Sequence, residues 1–254
     1  MSFFVFDLDG TLLNSNKELT SRSLKALEGL AQAGHRLVIA TARPPRATRS
    51  VMSRFQFPAE AVFYNGSLIH SPAFGETSVS IPRETSSKII DWLAVHDPDS
   101  VVSIEDADSW LTSNAFDFCK FFGIVEGPTI VSASRIAERS PNKILVNCSS
   151  ISGELKIKFG DSVNVLVTDQ GSLVQMMPKS ASKENAVELL LERHGGSFSD
   201  ATCFGDDHND IGLFKKCGKS VAMENSIEEI KALATHHTNS NDDDGVAKYI
   251  ENFV

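Results

Sequence analysis

The chain has 254 residues, 41% hydrophobic and 22% charged, a composition typical of a folded globular protein and not of a disordered one. Its 24 basic and 33 acidic residues give a net charge of −9, which argues against binding to bare nucleic acid or an anionic membrane surface. The four cysteines form no C-x-x-C pair, so neither a disulfide framework nor a zinc ribbon is predicted. Without a basic, apolar leader or a membrane-length apolar run, a cytoplasmic protein is expected.

The first third of the chain predicts strands alternating with helices. Short, wholly apolar runs are typical of strands buried on both faces of a parallel sheet, and polar caps bound the helices between them. The predicted order is strand 3–6, a helix from Thr20 to Gly34, strand 37–40, a helix opened by Pro44 and Pro45, strand 61–64, and a tight Asn65-Gly66 hairpin into 67–70.

The pattern changes near residue 78 and returns after Ser182. The middle segment predicts strands at 101–104, 143–148, 163–167 and 173–177 and helices at 86–96, 115–122, 134–139 and 151–158. The last segment predicts helix 183–193, strand 201–204, helix 209–216, strand 220–222 and a helix opened by a Ser226-x-x-Glu229 capping box. We therefore predict an α/β fold, with a Rossmann-like open parallel-sheet core at 1–79 and 179–254 and an inserted α+β domain at 80–178.

The strongest chemical signal follows the first strand. Asp7-Leu8-Asp9-Gly10-Thr11 comes directly after the apolar run, and ligands of open α/β sheets bind beyond the carboxyl ends of the strands. On an extended backbone Asp7 and Asp9 would point to the same side and repel, so a divalent cation or a shared proton is expected. An EF-hand calcium loop is disfavoured because Leu12 stands where glycine is required. A solvated acidic turn is the other alternative.

A second acidic cluster follows the strand at 201–204. Gly205-Asp206-Asp207-His208-Asn209-Asp210 offers three carboxylates and an amide within five residues, a set that suits a hard cation. His208 is interpreted as a loop residue, and Ile211 stands where a calcium loop would need glycine. Two acidic segments at strand ends that converge on one cation indicate a metal site more specifically than either segment alone.

Four further features of the sequence indicate a function less specifically. Thr41, where the second strand ends, can cradle phosphate oxygens or simply cap a helix, and Lys183 can bring a positive charge to the same sheet edge or lie in solvent. Residues 212–220 resemble a P-loop but have five residues between the glycines instead of four and follow a helix. The acidic run Asp242-Asp243-Asp244-Gly245 precedes the last helix and is interpreted as structural.

These motifs resemble those of the haloacid dehalogenase superfamily of phosphatases, specifically Cof-type members with a C2 (type IIB) cap. FVFDLDGTLL resembles the first motif, ATARP the second, the Lys183 region the third and FGDDHND the fourth, in the family's order and at strand ends. NGSLI and SNDDDGVA also resemble the Cof pattern. The resemblance covers nearly the whole chain.

The resemblance implies a role for each matched residue. Asp7 would be the nucleophile and Asp9 the general acid and base. Thr41 and Lys183 would hold the phosphate, with Ala42, Arg43 and Asn209 beside the substrate. The implied cofactor is Mg²⁺, and its protein ligands would be Asp7, Asp9 through its backbone carbonyl, Asp206 and Asp210.

Two positions depart from the family pattern. Ala42 stands where glycine is commoner, but alanine still permits close approach of the backbone. Glu224 also replaces a common glycine and would add a carboxylate that alters substrate choice. Neither change removes a catalytic group.

The expected function is Mg²⁺-dependent hydrolysis of a small phosphate monoester, such as a sugar phosphate, through an aspartyl-phosphate, with the inserted domain as a cap that excludes water. The expected partner is this small-molecule substrate, with no nucleic acid and no membrane, and the oligomeric state is left open. A phosphomutase of the same architecture and a non-catalytic ligand-binding module are the alternatives.

Overall fold

The computed structural model describes residues 1–114, 116, 118, 127–147, 151–168 and 172–251. The chain separates into two compact units, Met1–Thr77 with Ser182–Val254, and Ser78–Ala181. Each unit contains its own sheet and its own apolar core, so each is described by itself.

The first unit is built on an eight-stranded sheet in the order β14-β13-β12-β1-β2-β3-β4-β5. The strands from β14 to β3 are parallel, and β4 runs antiparallel to β3. This arrangement confirms the predicted α/β class. The strands are β1 (Phe3–Phe6), β2 (Arg36–Ala40), β3 (Glu60–Phe63), β4 (Leu68–Ser71), β5 (Gly75–Ser78), β12 (Ala201–Gly205), β13 (Lys219–Ala222) and β14 (His236–His237).

Helices cover both faces of this sheet, which explains why every residue of β1 is buried. Phe4 and Phe6 belong to one core cluster with Leu27 and Leu30, whereas Phe3 and Val5 belong to another. The alternation follows from the two-residue period of a strand. The helices are α1 (Ser21–Gln32), α2 (Pro45–Met52), α6 (Lys183–Arg193), α7 (Ile211–Lys216), α8 (Glu228–Leu233) and α9 (Gly245–Ile250).

The second unit contains a six-stranded sheet in the order β10-β11-β9-β6-β7-β8, antiparallel except for the β7–β8 pair. The predicted helix at 115–122 falls mainly outside the described residues. The elements are α3 (Arg83–His96), β6 (Val101–Asp106), β7 (Ser109–Thr112), β8 (Thr129–Ile130), α4 (Ala133–Ala137), β9 (Lys143–Asn147), α5 (Ser152–Phe159), β10 (Val163–Thr168) and β11 (Leu173–Pro178).

Several predicted boundaries are confirmed. Thr20 caps α1 by accepting a hydrogen bond from the Ser23 backbone N–H at 3.0 Å, and Gly34 follows the helix with a φ of +82°. Helix α6 has the predicted bounds, with the Ser182 side chain at its N-cap. Among the described residues, none of the helices is both long enough and apolar enough to span a membrane.

Two local predictions are wrong. The Ser226 hydroxyl does not cap α8, because it donates to the Gly205 carbonyl at 3.2 Å and the cap position is held by Ile227 without a side-chain bond. The β3–β4 hairpin has a four-residue loop, 64–67, instead of a two-residue turn, because Phe63 pairs with Leu68. Long-range packing determines the conformation at the start of α8 and in the β3–β4 loop, and the local sequence carries no signal of that packing.

Candidate active site

The predicted site residues gather at one edge of the first unit's sheet. Asp7 follows β1, Thr41 follows β2 and Asp206 follows β12, and these three strands are parallel neighbours. Their carboxyl ends therefore meet. Lys183, the first residue of α6, reaches the same place with its side chain fully buried.

The Lys183 ammonium lies between two carboxylates. Its Nζ is 2.6 Å from Asp7 Oδ1 and 2.7 Å from Asp210 Oδ1. Burial disfavours the charged lysine, but the carboxylates of Asp210 and Asp7 raise the pKa of Lys183 above its ordinary value. The two carboxylates therefore favour the charged form of Lys183, which contacts Asp7.

Three carboxylates surround a small volume at this edge. Asp7, Asp206 and Asp210 each place one oxygen within 4.8 Å of the others. Asp206 Oδ1 accepts a hydrogen bond from the Thr11 hydroxyl at 2.7 Å, and Asp210 Oδ2 accepts one from the Asp206 backbone N–H at 3.0 Å. These bonds fix the direction of each carboxylate.

Burial and mutual repulsion raise the pKa values of two of the three carboxylates. Burial raises the pKa of Asp7 to about 7, and the charge of Asp210 adds to the effect despite Lys183. Burial also raises the pKa of Asp206 to about 6, again with a contribution from Asp210. A hard divalent cation would relieve this repulsion, and carboxylate oxygens are the ligands that Mg²⁺ prefers. The residues present therefore fit the implied metal.

Asp9 has different partners from Asp7. Arg43 Nε and Nη2 each lie 2.6 Å from one oxygen of Asp9, and Lys17 Nζ lies 2.9 Å from Oδ1. Burial acts to raise the pKa of Asp9, but the hydrogen bonds from Arg43 and Lys17 outweigh it and lower that pKa. The Asp9 side chain is not among the clustered carboxylates.

The expected extended backbone from Asp7 to Asp9 is wrong. The chain turns after Asp7, with the Leu12 N–H donating to the Asp7 carbonyl at 3.3 Å and the Leu13 N–H donating to the Leu8 carbonyl at 2.8 Å. The carboxylates that raise the Asp7 pKa are those of Asp210 and Asp206, which are remote in sequence. The cation requirement inferred from the sequence therefore rests on a different set of acids.

The second motif forms a tight turn. Thr41 is buried, and its hydroxyl accepts the Arg43 backbone N–H at 3.1 Å, while its carbonyl accepts the Asn65 N–H at 3.0 Å. Ala42 is exposed. Asn209 donates its side-chain N–H to Asn65 Oδ1 at 3.0 Å, so the second and fourth motifs meet through the hairpin loop.

Two glycines permit the close approach of these segments. Gly10 has a φ of +83°, and a Cβ there would lie 2.2 Å from Asp206 Oδ2. Gly66 has a φ of +105°, and a Cβ there would lie 2.0 Å from the backbone oxygen of Ser182, the N-cap of α6. Both positions require a residue without a side chain.

Sequence reasoning missed several polar residues at this edge. Thr11 and Asn65 contact motif residues directly, and each lies within a quoted motif, which was the available signal. Lys17 and Asn225 lie outside the assigned set. The Asn225 side chain donates to the Gly10 carbonyl at 2.7 Å, a contact between residues 215 positions apart that no local pattern reveals.

The family profile of the haloacid dehalogenase-like hydrolases matches residues 4–250. The chain belongs to this family, and the predicted family and enzyme class, a phosphatase-type hydrolase, are confirmed. Among solved structures, the chain is similar to TM0651 from Thermotoga maritima, with a TM-score of 0.90 and 26% identity over 99% of this chain and 97% of that chain. A haloacid dehalogenase-like hydrolase from Bacteroides thetaiotaomicron gives 0.87 and 26% over 100% and 99%.

Some curated relatives, including two from different bacteria, have names that state a substrate. The chain is 26% identical to the 5-amino-6-(5-phospho-D-ribitylamino)uracil phosphatase YwtE of Bacillus subtilis, covering 100% of this chain and 98% of the relative. It is 25% identical to the pyridoxal phosphate phosphatase YbhA of Escherichia coli, covering 96% and 95%. Both alignments span nearly the full length of both proteins.

Proposed function

We propose that the protein is a Mg²⁺-dependent phosphatase that hydrolyses a small phosphate monoester through an aspartyl-phosphate on Asp7. The observation that carries this proposal is the buried cluster in which Lys183 contacts Asp7 and Asp210, with Asp206 close by. The named substrates of the two curated relatives, both small phosphate monoesters, support this substrate class.

Asp7 is assigned as the nucleophile because Lys183 holds its carboxylate and screens its charge from an incoming phosphate. An oxygen of Asp7 attacks phosphorus as the bond to the leaving oxygen breaks. Asp7, Asp206 and Asp210, with the Asp9 carbonyl, would hold Mg²⁺, which supplies positive charge that neutralises the phosphoryl oxygens. Thr41, Ala42, Arg43 and Asn209 are assigned as the phosphate and substrate contacts.

Asp9 is assigned as the acid and base of the two steps. Protonated Asp9 gives its proton to the leaving oxygen, and the resulting carboxylate accepts a proton from the water that attacks the aspartyl-phosphate. Inorganic phosphate then leaves, and Asp7 is regenerated. The ion pairs from Arg43 and Lys17 favour the carboxylate form, which the second step needs.

The inserted segment is assigned as the cap, with boundaries proposed at 80–178. Its compact fold and separate core support a body that can act as a unit. A cap of this kind excludes water and selects the leaving group. We also assign the protein to the cytoplasm, in line with the nature of its substrates.

The test is release of inorganic phosphate from a panel of small phosphomonoesters, with Mg²⁺ or with EDTA. We expect Mg²⁺-dependent release that Asp7→Asn abolishes, because an amide is not a nucleophile at phosphorus. Asp161→Asn, which neutralises an exposed carboxylate of the second unit, is the matched control and should retain full activity. Release that persists in Asp7→Asn would refute the assigned nucleophile. Transfer of phosphate to a sugar hydroxyl instead of water would identify a mutase.

A further inference from the structure

A short loop beside the active site carries Lys17, which the proposed mechanism uses only as an ion-pair partner of Asp9. Lys17 lies in the loop between Leu13 and Glu18, which closes through hydrogen bonds from the Asn14 N–H to the Glu18 carbonyl at 3.0 Å and from the Lys17 N–H to the Asn14 carbonyl at 2.8 Å. The Lys17 backbone has a φ of +63°, in the left-handed region that side chains other than glycine rarely adopt. The loop therefore fixes the direction of the Lys17 side chain, although the positive φ of Lys17 has a conformational cost.

The acidic run near the C-terminus fixes this loop. Both oxygens of Asp242 accept hydrogen bonds from Ser15, at 2.7 Å from its backbone N–H and 2.6 Å from its hydroxyl. The Asn241 side chain donates to the Leu13 carbonyl at 2.9 Å, and the Thr20 hydroxyl donates to Asp244 Oδ1 at 2.6 Å. The acidic run and the preceding Asn241 therefore anchor both ends of the segment that carries Lys17.

The loop brings the Lys17 ammonium to the assigned acid. Its Nζ is 2.9 Å from Asp9 Oδ1, while Arg43 contacts both oxygens of the same carboxylate. Two cations therefore face one anion, and these three groups carry a net charge of about +1. The Lys17 side chain is 59% exposed and that of Arg43 only 21%, so Lys17 is the cation that a ligand reaches more easily.

We propose that Lys17 is a specificity-determining residue that favours phosphomonoesters whose leaving group carries an anionic group near the ester oxygen. The inference rests on the proposed function, because Asp9 must reach the leaving oxygen to protonate it. Any group within hydrogen-bond distance of Asp9 then lies on the leaving-group side of the phosphate. The Lys17 ammonium at that position attracts a carboxylate or a second phosphate on the leaving group and repels a protonated amine.

The test compares three phosphomonoesters of similar size whose leaving groups differ in charge: 3-phosphoglycerate, glycerol 3-phosphate and O-phosphoethanolamine. For each compound kcat/KM is measured, or, where it is not turned over, its Ki against the best substrate of the panel. The variants are Lys17→Gln, Lys17→Arg and Lys17→Glu, with Lys216→Gln as the control for loss of an ordinary exposed ion pair, that with Glu188.

We expect Lys17→Gln to weaken the use or binding of 3-phosphoglycerate by roughly fivefold relative to glycerol 3-phosphate, the size of a partly exposed ion pair. Lys17→Glu should improve the use or binding of O-phosphoethanolamine relative to the other two compounds. Lys17→Arg should leave the wild-type order of preference among the three compounds unchanged. Asp242→Asn, which loosens the loop without changing Lys17, should reduce the same discrimination.

A uniform change for all three compounds in Lys17→Gln would overturn the inference, since Lys17 would then act only through Asp9. The same holds if Lys216→Gln changes the discrimination as much as Lys17→Gln. Absence of phosphate release from the whole panel by the wild type would instead refute the proposed function. The two failures are therefore distinguishable.

Discussion

Single residues at the sheet edge show how charge is distributed between two neighbouring sites. Asp7 shares Lys183 with Asp210, so three carboxylates including Asp206 face one ammonium. Asp9, two residues away, has an excess of cations. A phosphoryl group bound between them would meet the acids that we assign to the metal on one side and the acid that we assign to proton transfer on the other, a separation that suits phosphoryl transfer.

The unbalanced acids predict how metal binding depends on pH. The pKa of Asp206 is about 6 in the folded protein against an ordinary value of 3.8. Between these values the folded, metal-free protein holds a proton that the unfolded chain has lost, so its stability falls as the pH rises through this range. Asp7, with a pKa of about 7, extends the trend. Bound Mg²⁺ would replace these protons, so the increase in Tm that Mg²⁺ causes should be larger near pH 8 than near pH 5.

Differential scanning calorimetry with Mg²⁺ or EDTA at the two pH values measures this effect. Asp206→Asn should raise the Tm of the EDTA-treated protein near pH 8, because it removes a carboxylate that is penalised in its ionised form. The same variant should lose most of the Mg²⁺ effect. Asp161→Asn is the control. A Mg²⁺ effect that is equal at both pH values would contradict the prediction.

At the same scale, the sequence identified residues at strand ends because their position depends on the fold class alone. Asp7, Thr41, Asp206 and Lys183 each follow a predicted strand or begin a predicted helix. Lys17 could not be found in this way. Its partner Asp9 lies across a turn, and its loop is fixed by Asp242, which is remote in the chain.

At the scale of secondary structure, the position of α6 decides where Lys183 lies. The helix begins at Lys183, and its N-cap residue Ser182 packs against the hairpin loop through Gly66. The hydrophobic period predicts the helix and its bounds because its apolar residues pack on one face of the sheet, among them Val187, Leu190 and Leu191. The packing of Ser182 against Gly66 is a long-range contact that the sequence does not predict, because the Asn65-Gly66 pair by itself predicts only a turn.

The Gly66 contact predicts a loss of stability and of activity when a side chain is added there. Gly66→Ala places a methyl group against the Ser182 carbonyl and forces a positive φ on alanine, so we expect the free energy of unfolding to fall by more than about 2 kcal/mol. The expected kcat falls as well, because Ser182 positions Lys183. Urea unfolding and phosphate release measure the two effects.

Gly34→Ala is the matched control for this substitution. Gly34 also has a positive φ, +82°, but a Cβ there meets no atom within 4 Å. Gly34→Ala should lower the free energy of unfolding by only about 1 kcal/mol, the cost of a positive φ for alanine, and should leave kcat unchanged. Equal effects of the two substitutions on stability and kcat would show that the Ser182 contact has no role.

At the scale of the whole molecule, the chain contains two independent cores. The first unit buries clusters on both faces of its parallel sheet, and the second buries its own cluster around Ile104, Ile144 and Val174. Alternating strands and helices predict the parallel sheet because buried strands read as continuous apolar runs. The order β10-β11-β9-β6-β7-β8 of the second sheet had no such signal, since antiparallel strands can pair in many orders.

The separate cores predict where metal binding stabilises the chain. Asp7, Asp206 and Asp210 all belong to the first unit, and the second unit supplies none of the clustered carboxylates among the described residues. Binding stabilises the cooperative unit that contains the ligands, and regions with their own cores open independently of it. Hydrogen exchange with Mg²⁺ should therefore slow in peptides from β1 and β12 and stay unchanged in peptides from β6 and β9.

The matched control is Asp206→Asn, in which Mg²⁺ should slow exchange in neither set of peptides, because one of the three clustered carboxylates is lost. Wild-type protection by Mg²⁺ that is equal in β1 and β9 would contradict the prediction, since it would mean that the two units open together. Protection confined to the first unit would mean that metal binding stabilises only the unit that contains the clustered carboxylates.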